Sequence, residues 1–178
     1  PVFNRNEKMG KDACEILVHA LTAVDPYESV KDLINIEKNL LYIKNKQLDL
    51  INVHRIFIIG FGKASIPMVQ AILDKLGKKI NRALIITKDL KFKPIEKRYR
   101  NLSIYFGGHP IPTEESIEST QNLLNNLPDF TEDDLVFVLV SGGGSALFTD
   151  PVQGVSLDDM RALTQILLNC GADIDEVN

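Results

Sequence analysis

The stretch Leu135-Val136-Phe137-Val138-Leu139-Val140-Ser141-Gly142-Gly143-Gly144-Ser145-Ala146-Leu147-Phe148 decides the fold of this chain. Its first six residues are apolar and four of them are Val or Phe, the composition of a strand buried on both faces. Ser-Gly-Gly-Gly-Ser follows without a spacer. Glycine in a regular element costs about 1 kcal/mol relative to alanine, so three in a row have no packing purpose. They fit a turn in which backbone N–H groups face a ligand with no side chain in the way, and such a nest of amides binds phosphate or carboxylate. A plain surface loop has the same composition. The strand in front of it favours a site, because open α/β sheets bind ligands beyond the carboxyl ends of their strands.

Two other strands end in the same way. Arg55-Ile56-Phe57-Ile58-Ile59 reads as a buried strand and runs into Gly60-Phe61-Gly62-Lys63-Ala64-Ser65. A helix is predicted over 63–76, with Ala64, Met68, Ala71, Ile72 and Leu76 on its apolar face. Gly60 and Gly62 allow a tight strand-to-helix turn and close approach of a ligand to the helix N-terminus. The glycine spacing is too short for a phosphate-binding Walker loop, and Ser65 stands where a dinucleotide fingerprint has its third glycine. Lys63 opposes the dipole of the helix it precedes, a placement that makes sense if the cation serves an anion; a lysine reaching into solvent is the plainer reading. The third case is Leu102-Ser103-Ile104-Tyr105-Phe106, followed by Gly107-Gly108-His109-Pro110-Ile111-Pro112. His109 precedes a proline, so its backbone is extended and its ring is held outside any helix. It serves equally well as a site residue or as a turn residue.

The remaining elements complete an α/β pattern. A helix over 5–24 carries Ile16, Leu17, Ala20, Leu21 and Val24 at helical spacing, with His19 read as structural. Asp25-Pro26 supplies an N-cap and a first-turn proline for a second helix over 27–34. Residues 40–43 and 48–51 read as a hairpin around Lys44-Asn45-Lys46-Gln47, although a helix fits the same residues nearly as well, and 83–87 reads as another buried strand. Thr113 is the predicted N-cap of a helix bearing Ile117, Leu123, Leu124 and Leu127, with Glu114 and Glu115 complementing its dipole. Ser156 caps a helix over 157–169, which Gly171 terminates. Lys91, Lys93, Lys97, Arg98 and Arg100 are interleaved with Pro94 and Glu96 and read as a solvated loop.

Composition narrows the class. The 178 residues are 44% hydrophobic and 25% charged with net charge −4, which gives no general basic field for nucleic acid or an anionic membrane. No apolar run approaches the roughly 18 residues of a membrane span, and no signal-peptide core is present. Cys14 and Cys170 lack metal-like spacing and read as buried free thiols in a reducing compartment, hence a cytoplasmic location. Association into a homo-oligomer is left open.

Together, Gly60-Phe61-Gly62-Lys63-Ala64, Gly108-His109-Pro110-Ile111-Pro112 and Ser141-Gly-Gly-Gly-Ser145-Ala-Leu, with Pro151, Gly154, Ser156, Gly171-Ala172, Ile174 and Glu176-Val177-Asn178 behind them, resemble the N-terminal domain of class II glycerate kinases, the MOFRL-associated glycerate 2-kinases. The resemblance implies a doubly wound, mostly parallel Rossmann-like sheet with helices on both faces. It implies transfer of the ATP γ-phosphoryl to the 2-hydroxyl of D-glycerate with a divalent metal, usually magnesium, whose ligands it does not identify here. Lys63 resembles the family's catalytic lysine. The loop Ser141, Gly142, Gly143, Gly144 and Ser145 resembles its anion cradle, Gly60 and Gly62 its first glycine turn, His109 its His-Pro loop, and Asn178 an asparagine lining the cleft. The family has aspartate where Thr113 stands, and both residues can cap a helix. On this resemblance residues 1–178 are the N-terminal part of the α/β domain, with the end of that domain and a C-terminal domain lying beyond, and the chain alone is expected to be inactive. A phosphosugar-binding or isomerase-like α/β domain is the alternative, with His109 as its base; it would consume no nucleotide.

Overall fold

The computed structural model describes residues 7–88 and 99–173, apart from the side chain of Leu168. The basic residues Lys91, Lys93, Lys97 and Arg98, and the segment from Ile174 to Asn178, lie outside the described residues. In chain order the elements are α1 (Glu7–Ala23), α2 (Pro26–Leu33), β1 (Ile34–Glu37), β2 (Leu40–Ile43), β3 (Lys46–Asp49), β4 (Arg55–Phe61), α3 (Ser65–Leu76), β5 (Ile80–Lys88), β6 (Leu102–Gly107), α4 (Glu114–Asn125), β7 (Asp134–Val140), the single turn α5 (Gly144–Leu147) and α6 (Leu157–Cys170).

β4 to β7 form one parallel sheet in the order β6-β5-β4-β7. Alternation along the strands divides the core between its two faces. Ile56, Ile58, Ala83, Ile85, Phe137 and Leu139 face α3, whose Val69, Ile72, Leu73 and Leu76 are buried against them. Each such side chain contributes about 1.5–3 kcal/mol relative to an exposed position. Leu84 and Ile86 face the other way, onto Leu123 of α4 and Leu147 of α5. The expected α/β sheet with helices on both faces is therefore the fold.

The predicted caps hold. Asp25 accepts the Glu28 amide at 2.9 Å ahead of α2. Ser156 accepts the Asp159 amide at 3.1 Å ahead of α6. Gly171, at φ 78°, ends α6 with the Ala172 amide donating back to the Leu167 carbonyl at 3.0 Å.

Three expectations are corrected. The predicted hairpin is a three-stranded antiparallel meander, β1-β2-β3, whose last strand occupies 46–49 rather than 48–51. Its turns begin at Lys38 and Lys44, with φ of 57° and 50°, a conformation that lysine does not advertise. β7 is not buried on both faces. It borders only β4 among the described residues, and Val138 and Val140 are each 58% exposed. Finally, Cys14 and Cys170 are free but exposed; α1, which carries Cys14, has no buried residue on any face.

The amino ends of β4 and β7 are clamped by an ion pair. Arg55 Nε and Nη2 donate to the two carboxylate oxygens of Asp134 at 2.8 and 2.5 Å, and the Thr131 amide donates to Asp134 Oδ2 at 2.8 Å. Hydrogen bonds from Arg55 hold the Asp134 carboxyl well below the usual aspartate range. A depressed folded-state pKa stabilises the fold above the unfolded pKa, near 3.9, and that contribution is lost as pH falls through the folded value. Asp134→Asn is accordingly expected to lower Tm at neutral pH. The gap from wild type should close only in strong acid, as thermal unfolding along a descending pH series would read.

Candidate active site

Progress through the sheet reverses between β4 and β7: the chain steps from β4 to β5 and β6 on one side, then returns to the other side of β4. At such a switch point the connecting loops part and leave a crevice at the carboxyl ends of the strands. The loops there are Gly62–Ala64 and Ser141–Gly143.

The two loops are interlocked through their backbones. The Ser141 amide donates to the Phe61 carbonyl at 3.1 Å, and the Lys63 amide to the Gly142 carbonyl at 3.0 Å. The Ala64 amide donates to the Ser141 hydroxyl, also at 3.0 Å. On the β5 side, Gly62 N–H donates to the Ile86 carbonyl at 3.1 Å, and the buried Thr87 hydroxyl donates to the Gly62 carbonyl at 3.2 Å. Gly62 has φ 119°, and a Cβ there would run into the Ser141 backbone, so only glycine fits.

This interlock occupies the amides ahead of α3: Lys63 and Ala64 bond the other loop, and Ser65 bonds the Gly62 carbonyl at 3.2 Å. The α3 N-terminus is thus closed by the protein itself, and α3 begins at Ser65 rather than at Lys63. The first glycine turn instead presents the Lys63 side chain. Lys63 is exposed, and its Cε lies 3.8 Å from the point where a Gly142 Cβ would sit, so the chain runs alongside the glycine loop. Among the described residues the amides of Gly142, Gly143 and Gly144 have no acceptor. The loop stands on an aromatic base: Gly144 is buried on Phe61, which stacks on Phe148 with ring centroids 4.7 Å apart.

His109 closes the group. A Cβ on Gly143 would lie 2.5 Å from His109 Cδ2 and 2.7 Å from Nε2, so the imidazole packs directly on the Gly143 backbone. Burial lowers the pKa of His109 below the ordinary imidazole value, and Lys63 and Lys88 lower it further. Both effects favour the neutral form of the ring. Its loop is held from two sides. The Gly108 amide donates to the Ser116 and Thr113 hydroxyls at 3.0 and 3.2 Å, while Arg161 Nε donates to the Pro112 carbonyl at 3.0 Å.

Residues 12–178 match the family model described as a domain of unknown function, DUF4147. The chain belongs to that family. It is 36% identical over 172 residues to the D-glycerate 2-kinase of Thermotoga maritima, an alignment covering 97% of this chain and 37% of that protein. It is 35% identical over 159 residues to the glycerate 2-kinase of Pyrococcus horikoshii, covering 89% of this chain and 34% of the relative. The crystal structure of the Thermotoga maritima glycerate kinase superposes with a TM-score of 0.74 at 35% identity, over 97% of this chain and 37% of that one. The resemblance drawn from the glycine motifs thus holds, and the chain spans just over a third of the length of these relatives.

Within this DUF4147 domain the fold brings Lys63, His109 and the Ser141–Ser145 loop to one sheet edge. Gly62 is part of the interlock beneath them. Gly60 is not among them: it is buried inside β4, where a Cβ would press on Ile85 at 2.9 Å. Asn178 lies outside the described residues. Sequence reasoning missed Lys88, the last residue of β5, and the Thr113–Ser116 hydroxyl pair that grips Gly108. The rule that located Lys63 also points to Lys88, which ends a neighbouring parallel strand, but a polar run with no glycine follows it.

Proposed function

We propose that the full-length protein carrying this domain is a cytoplasmic ATP-dependent glycerate 2-kinase. The observation that carries the reading is the nearness of Lys63 to a loop whose three glycine amides are unbonded among the described residues, a cradle suited to a phosphate at the switch point. The names of relatives that are 35–36% identical to this chain over the aligned residues support it. Phosphoryl transfer asks a protein for positioning and charge stabilisation rather than a side-chain nucleophile, and this edge offers those two things.

In this reading the amides of Gly142 to Gly144 and the Lys63 ammonium hold the transferring phosphoryl group and offset its charge. Neutral His109 accepts the proton of the 2-hydroxyl. The hydroxyl oxygen bonds to phosphorus, the bond from phosphorus to the bridging oxygen breaks, ADP leaves, and the proton passes from His109 to solvent. Asn178 is proposed as a further contact to the substrate. Among the described residues no three His, Cys, Asp or Glu side chains come together as a cation cage, and lysines with a histidine do not fit a resident divalent ion. Magnesium is proposed to enter with the nucleotide.

The test is coupled ADP release by the full-length protein with D-glycerate and magnesium-ATP. Turnover strictly dependent on D-glycerate is expected, with 2-phosphoglycerate as product by NMR. Conversion of a phosphosugar without ADP formation would overturn the kinase reading.

A further inference from the structure

We propose that Lys88 is the contact for the carboxylate of the acceptor acid, standing at the carboxyl end of β5 between the strands that lead into the His109 and Lys63 loops. This rests on the kinase reading above and adds the group that tells an acid from a neutral polyol.

The position of Lys88 is built rather than incidental. It pairs with Gly107 of β6, two residues before His109. Its neighbours Thr87 and Ile86 bond the carbonyl and the amide of Gly62, one residue before Lys63. The same bonds therefore fix the backbones of both lysines relative to each other. By strand alternation Lys88 shares the face of Leu84 and Ile86, which pack on Leu147 of α5 immediately after the glycine loop. Both ammonium groups are unpaired among the described residues: Lys63 and Lys88 are exposed, and neither meets a carboxylate. Both lie close enough to His109 to depress its protonation.

Two cations near one histidine, neither paired with a carboxylate among the described residues, repel one another until an anion arrives. The amides beside Lys63 suit a phosphate, which leaves Lys88 with the other negative group of the reacting pair. In a 2-hydroxy acid the carboxylate is bonded directly to the carbon that bears the hydroxyl. A substrate anchored by its carboxylate at Lys88 thus presents that hydroxyl at His109, with the glycine loop beyond.

Steady-state kinetics of Lys88→Met and Lys88→Arg in the full-length protein test this, once the wild type has been assayed. Lys88→Met is expected to raise KM for D-glycerate on the order of 10-fold or more, with KM for ATP unchanged within about twofold, and Lys88→Arg to restore part of the loss. The preference for D-glycerate over uncharged glyceramide should fall by the same factor, a readout that a general structural defect would leave alone. An unchanged KM for glycerate would overturn the assignment. So would a rise confined to ATP, which would place Lys88 on the nucleotide phosphates, or an equal loss with glycerate and glyceramide. A wild type that transfers no phosphoryl group to glycerate would instead remove the kinase reading, and Lys88's role with it.

Discussion

Lys63→Ala in the full-length protein is expected to lower kcat by a factor on the order of 10²–10³ while leaving the fold intact. The loss corresponds to about 3–4 kcal/mol of transition-state stabilisation, the scale of one preorganised charge facing developing negative charge. The fold survives because the structural work of residue 63 belongs to its backbone. The amide that bonds the Gly142 carbonyl at 3.0 Å is kept in alanine, and the exposed side chain is buried against nothing. Tm within a degree or two of wild type, together with the kcat loss, is the expected pair of measurements. Near wild-type turnover would remove Lys63 from the mechanism.

Gly143→Ala is expected to cut kcat/KM on the order of 10²-fold or more, out of proportion to its effect on stability. Gly143 has φ 85°, where a side chain costs about 1–2 kcal/mol, or a few degrees of Tm. The added methyl would also meet the His109 ring at 2.5 Å and force the imidazole off the loop. Gly154→Ala separates the two effects. Gly154 has φ 92°, yet nothing lies within 4 Å of its would-be Cβ. It should show a similar fall in Tm with activity retained. Matching losses in the two variants would mean that the glycine loop is merely a strained turn.

The sheet and its carboxyl edge were legible because three of its four strands, β4, β6 and β7, are apolar runs that end in glycine turns, and because helix caps such as Asp25, Ser156 and Gly171 are local signals. The features that escaped depend on partners far along the chain or on conformations that a residue type does not announce. Lys38 and Lys44 turn the meander with positive φ, and no composition rule expects lysine there. Val138 and Val140 look like core in sequence, but no described element covers them. The helix-terminus reading of Gly60-Phe61-Gly62-Lys63 missed that the Ser141 loop would take up those amides, since the competing acceptors lie nearly 80 residues away. Lys88 escaped because its chemistry comes from register with Gly107 and from the Thr87 hydroxyl, neither of which leaves a motif.

The bonds joining Gly62–Ala64 to Ser141–Gly142 bear on any attempt to graft this edge onto another protein. Neither loop keeps its shape alone: Ser141 supplies an acceptor to Ala64, Gly142 supplies one to Lys63, and Gly62 has room only while Ser141 lies where it does. The transplantable module is therefore both loops with the two strands beneath them, paired so that Phe61 stands opposite Val140. A recipient sheet offset by a single residue would turn every side chain of one strand to the opposite face and leave the borrowed glycines with nothing to hold.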